Sequence, residues 1–220
     1  FKSAQAYSKL ENHDKTDLKF EAMRGLFDES KALYIHANDV KQITEIVNFK
    51  KEYSIKRIVL VGAYDAWMVA DMIRDNDIYV MLKRPHSVPR YHEDDIDLCY
   101  KSAKLLQDEG VVFCLQNAGG MEQMGTRNLP FMAGTCVAYG LTYEQAVMAL
   151  TLNTAKILGI EDRCGSLEVG KDATVFISEG DALDMMSNEL TSAWIQGREI
   201  DLSNRQKELY LKYKSKYDAN

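Results

Sequence analysis

The chain has 220 residues, enough to bury one large core with or without a small appendage. Hydrophobic residues make up 46 %, which excludes disorder as the main state, and no apolar run approaches the roughly 18–20 residues of a membrane span. A formal net charge of −6 argues against the broad basic face that nucleic-acid binding requires. No signal peptide is visible after Phe1, so cytoplasm and bacterial periplasm both stay open as compartments. Cys99, Cys114, Cys136 and Cys164 form no C-x-x-C pair and are expected as free, buried or half-buried thiols.

Residues 1–30 are charged, with the apolar spacing of helices (Tyr7, Leu10, then Leu18, Met23, Leu26, Phe27) and a break at Asn12-His13-Asp14. Ala32 to Ala37 reads as a buried strand. Asp39 then caps a helix whose inner face is Val40, Ile43, Ile46 and Val47. A second strand runs from Arg57 to Val61 and stops at Gly62, followed by a helix over Ala66–Asp75. A third, Ile78–Leu82, enters a long polar loop, Lys83 to Asp95. A helix with Leu98, Ala103, Leu105 and Leu106 ends at Gly110, and a fourth strand, Val111–Leu115, runs into Asn117.

Near-continuous apolar strands alternating with amphipathic helices predict a parallel sheet with helices outside. Beyond it, a Thr142/Gln145 capping box opens a helix that closes at Gly159. A glycine-punctuated stretch follows as a hairpin, with strands at Val175–Ile177 and Ala193–Ile195 and a turn at Gln196-Gly197. Ser203 with Gln206 predicts a second capping box, opening a tail helix whose Leu209, Tyr210 and Tyr213 pack back on the body.

The stretch Thr151, Asn153, Ala155, Leu158, Gly159, then Gly165, Leu167, Gly170, Asp172 and Ala173 carries a family signature. It resembles the C-terminal run of the metal-dependent amidohydrolases, in the imidazolonepropionase-like branch, apart from the order of Asp172-Ala173. The resemblance extends from Leu33 to the tail. It implies an α/β fold, the C-terminal half of a (β/α)8 TIM barrel with a small C-terminal β-sandwich portion. The half barrel would occupy residues 1–160, the sandwich portion 161–202 and the tail helix 203–220. No His-x-His pair, the family's mark of strand one, occurs in the chain. The missing N-terminal half is therefore expected as a further segment, a separate subunit or a second copy, giving an oligomer.

The resemblance also implies the chemistry, in which a divalent metal, zinc foremost, activates water against an amide, cyclic amide or imidazolone-like C–N bond. His36 stands at the strand-five metal-ligand position. Val61-Gly62 stands where His-Gly is usual, so a ligand is lost at Gly62 and its neighbour. Asn117 or Gln116 stands where the strand-eight Asp is usual, and a neutral amide cannot act as general base. Asp65 is a substitute candidate. Arg84, His86 and Arg90, in a loop stiffened by Pro85 and Pro89, read as the captors of an anionic group on a small-molecule amide. Arg127 and Asn128 are further candidates for substrate contact. The run from His92 through Glu93, Asp94, Asp95 and Asp97 reads as an exposed acidic helix start. The alternative function is a catalytically silent scaffold or partner subunit, with ligands lost at Gly62 and Asn117. Neither a G-x-S-x-G elbow nor a recognisable partner for Cys114 supports nucleophilic catalysis.

Overall fold

Four short aliphatic runs make one parallel sheet. The computed structural model describes residues 1–10, 15–117 and 122–218. After α1 (Lys2–Ser8) and α2 (Leu18–Phe27), the chain runs β1 (Leu33–Ala37), α3 (Val40–Tyr53), β2 (Ile58–Gly62), α4 (Ala70–Asp75), β3 (Ile78–Leu82), α5 (Leu98–Asp108) and β4 (Phe113–Leu115). The strands lie in the order β1-β2-β3-β4, all parallel, each joined to the next by a helical crossover. In register, His36 pairs with Val61, Val61 with Met81, and Met81 with Cys114.

Alternation along each strand separates two faces. Leu33, Ile35, Ile58, Leu60, Val80, Leu82 and Phe113 meet the helices, where Ile43, Val47, Ile73 and Leu106 complete the main core. On the opposite face, Val59 and Cys114 are covered by Ile157, with Tyr79 and Met81 packed beside them. His36 lies on that same face and is exposed.

The second half holds a 3-10 turn at Glu122–Asn128, then α6 (Leu129–Ala138), α7 (Tyr143–Leu150) and α8 (Leu152–Leu158). The Thr142 capping box forms, and Gly159 closes α8 in the left-handed conformation at φ +73°. β5 (Val175–Ser178), β6 (Leu190–Ile195) and β7 (Arg198–Glu199) make a three-stranded antiparallel sheet, and α9 (Arg205–Tyr217) ends the described chain. Gln196 and Gly197 both take positive φ, 51° and 74°, which a two-residue hairpin turn demands. No described helix is long and apolar enough to cross a membrane.

Several expectations are corrected. The helix from Thr142 to Gly159 is two helices, because Thr151 leaves the helical region (φ −119°, ψ −88°); its N–H and its hydroxyl both donate to the Val147 carbonyl, which closes α7 there. β4 starts at Phe113, not Val111, since the Val111 N–H closes α5 on the Leu106 carbonyl. The helix after β2 begins as a 3-10 turn, Tyr64–Val69, entered through Ala63 at φ +54°. The tail cap is Asn204, whose side chain accepts the Lys207 N–H at 2.9 Å; Ser203 instead donates its hydroxyl to Asp201. The tail helix does not pack back, since α9 buries none of its residues. The break read at Asn12-His13-Asp14 lies outside the described residues.

Candidate functional site

Parallel strands end together, and the C-terminal ends of β1 to β3 form one rim of the sheet. A cleft of about 240 Å³ opens there, walled by Asn38, Tyr64, Lys83, Arg84, Arg90 and Cys99. Asn38 of its wall also packs on a tight junction between β1 and β2. Gly62 sits at φ +99°, and a Cβ placed on it would come 2.7 Å from the Asn38 Oδ1. Gly62 is therefore fixed by backbone geometry and close packing. The residue in register with His36 is Val61 rather than Gly62, so the position where the sequence suggests a missing imidazole is Val61.

The long loop after β3 is tied down by Tyr64 and by Asp39. The Tyr64 hydroxyl donates to Asp94 at 2.5 Å and accepts the Arg90 N–H at 2.8 Å. Burial, reinforced by the Asp94 hydrogen bond, pushes the Tyr64 phenol well above its ordinary range, so it stays protonated as a donor. Arg90 is ion-paired to Asp39 at 2.7 Å and lies over the Tyr91 ring, while the Tyr91 hydroxyl donates to Asp39 at 2.9 Å. Asp65 is only 8 % exposed, and burial is the main cause that raises its carboxyl above the usual range. The acidic run is thus more than a solvated helix start, because Asp94 is half-buried and ties the loop to the 3-10 turn after β2.

The other candidates lie apart. His86 is absent from the cleft walls and lines a separate groove with Phe131, Thr135 and Tyr143. The His86 Nε2 lies 2.7 Å from the Thr135 hydroxyl, which also reaches the Phe131 carbonyl at 3.1 Å. Asn117 follows β4, with its Oδ1 buried and without a hydrogen-bond partner among the described residues. A Cβ on Gly125 would come 3.0 Å from its Nδ2, so the 3-10 turn closes against this amide. Arg127 is exposed in that turn, and Asn128 sits half-buried at the start of α6. Asn38, Tyr64 and Lys83 belong to the strand ends that the sequence marks as the place for chemistry, whereas Cys99, on the crossover helix, carries no such signal.

The three buried thiols are poorly suited to nucleophilic work. Burial pushes Cys114 to about 11 and Cys136 to about 12, and raises Cys99 as well. Metal ligation fares no better on this chain's own residues. No group of three His, Cys, Asp or Glu side chains suited to a metal occurs among the described residues. Across the sheet, the row containing His36 continues as Val61, Met81 and Cys114, of which Cys114 is fully buried. One imidazole beside an apolar row does not fit a divalent cation, which takes at least three protein ligands in ordinary zinc sites.

A family profile described as Amidohydrolase family matches residues 6–200. The structure resembles an amidohydrolase from Thermotoga maritima MSB8 with a TM-score of 0.76 and 26 % identity, covering 91 % of this chain and 51 % of that one. It shares its fold with an adenosine deaminase from Xanthomonas campestris carrying bound zinc, at TM-score 0.54 and 18 % identity, over 93 % of this chain and 54 % of that one. An imidazolonepropionase from Shewanella oneidensis is 60 % identical over 38 residues, which is 17 % of this chain and 9 % of that enzyme. The chain spans about half the length of the solved structures it resembles.

Proposed function

This chain belongs to the amidohydrolase family, and from that premise we propose that it forms the C-terminal half of a (β/α)8 barrel, with part of a β-sandwich, in a hydrolase of C–N bonds. The substrate class is a small amide, cyclic amide or imidazolone-like compound bearing an anionic group. One observation carries the reading: the parallel strands end on a common rim, where His36 and a cation-walled cleft lie at the strand ends. In parallel α/β sheets such rims are where ligands sit.

Within this reading, Lys83 and Arg84 hold the anionic group, and Tyr64 fixes the loop that carries them. Arg90 has its charge engaged by Asp39 and acts on the loop. His36 presents an imidazole from β1. Asn117 can orient a carbonyl or water through its amide but cannot take up a proton. A divalent metal, zinc foremost, belongs to this chemistry in the family. The described residues supply one ligand toward it, so no step is assigned through a metal here.

Kinetics on the protein with cyclic imides, imidazolones and dipeptides, alongside metal analysis, tests the proposal. Arg84→Ala should raise KM about 10-fold or more for anionic substrates with kcat little changed, the mark of lost uniform binding. No turnover of any of the three classes removes the hydrolase reading. A second reading, the silent scaffold, rests on the apolar row beside His36. Val61→His places an imidazole in register with His36; if it gains zinc binding that the parent lacks, loss of one ligand silenced the site.

A further inference from the structure

The tail helix is unpartnered but strongly patterned. At helical spacing, Leu209, Tyr210, Tyr213 and Tyr217 fall on one stripe of α9, and each is between 41 % and 69 % exposed. A 13-residue helix that buries none of its residues is marginal in water, so this stripe needs a cover. Cations flank it on both sides, Arg205, Lys212 and Lys216 on one and Lys207 and Lys214 on the other, with Glu208 on the back. Those flanks oppose pairing of two tail helices with each other.

The cover must then be acidic and apolar, and the chain itself carries such a surface. Five cations and one acid give α9 a charge of +4, which on a chain of net −6 leaves −10 on the remainder. Part of that negative charge lies in the connection between β5 and β6. From Glu179 to Glu189 there are four acids and no cation, with Met185 and Met186 exposed at 63 % and 94 %. Asp184 stays ionised there, because the Ser187 hydroxyl and neighbouring backbone N–H groups hold its carboxyl below the usual range. Methionine thioethers are adaptable partners for aromatic rings, which suits a tyrosine stripe.

We propose that α9 of one copy docks on the acidic, methionine-bearing β5–β6 connection of a second copy, in a reciprocal two-fold exchange. Two-fold symmetry makes the contact twice, which brings two small patches toward the ~1,200 Å² that stable interfaces bury. Attraction between opposite surface charges makes the assembly salt-sensitive.

Sedimentation velocity on the protein at micromolar concentration reads this directly. The expected result is a dimer at low salt that dissociates as salt rises. Lys207→Glu with Lys214→Glu should weaken the dimer at least 10-fold, as should Glu179→Lys with Glu189→Lys, which leaves the Asp184 turn intact. All four changes in one chain should restore it. A monomer at every salt concentration overturns the proposal, as does a dimer indifferent to both reversals. Flotation of a monomer with phosphatidylserine vesicles would also overturn it, by assigning the stripe to a lipid surface.

Discussion

Asp65 shows what a single position at the strand ends costs. It is 8 % exposed, and burial raises its carboxyl above the usual range; nearby Asp39 and Asp94 add to the effect, while the Val40 N–H and Arg90 oppose it. The folded state therefore keeps this proton to higher pH than the unfolded chain does. The stability this group gives is fully present below the unfolded value of about 3.9 and is lost as pH rises through the raised folded value. Asp65→Asn, which keeps an acceptor for the Val40 N–H, should raise the urea midpoint at about pH 7 and leave it nearly unchanged at about pH 3. A lower midpoint at neutral pH would show that the ionised carboxylate is needed. His36 and Gly62 were both legible as strand-end residues. Val61 as the neighbour of His36 was not, because register is set by the sheet and not by either strand alone.

The signature segment acts at the level of the element, as a clamp between α8 and the sheet. Arg57, just before β2, donates through Nη2 to the Lys156 carbonyl at 2.6 Å and the Ile157 carbonyl at 3.1 Å, satisfying the end of α8. Asn153 donates to the Phe113 carbonyl of β4 at 3.1 Å, and the Tyr34 hydroxyl to Ile157 at 3.2 Å. Gly159 serves this twice: its φ of +73° suits glycine, and a Cβ there would come 2.6 Å from the Arg57 Nη1. Gly165 likewise leaves room for Ala155, whose Cβ would lie 2.7 Å from its own. Gly159→Ala should cost about 2–4 kcal/mol in chemical unfolding, from left-handed strain and displaced hydrogen bonds. A loss under about 0.5 kcal/mol would mean that Arg57 moves aside freely. The cap at Gly159 could be read from sequence because it is local, whereas Arg57 as its partner lies far away in the chain.

At the scale of the molecule, the parallel sheet has two edges, β1 and β4, each paired on one side only. His36 and Tyr34 on β1 are exposed, and the small sheet also leaves Phe176, Ile177 and Ile195 at least half exposed. Hydrogen exchange on the isolated chain should separate the strands. Amides of β2 and β3, paired on both sides, should exchange only with global opening, and the outward amides of β1 and β4 at least about 10-fold faster. Equal protection at the edges would show that another polypeptide pairs with them.

Sequence by itself determined the alternation of strands and helices, the parallel sheet, the Thr142 box, the Gly159 cap and the Gln196-Gly197 turn. Each depends on neighbours within a turn or two of chain, where propensity and periodicity act. Only the tertiary structure decided which strand-end groups meet. It brings Tyr64 to Asp94 and Arg90 to Asp39, turns His86 into another groove, and leaves α9 uncovered. Those outcomes depend on loop paths and strand register, which link residues too distant in the chain for any local pattern to encode.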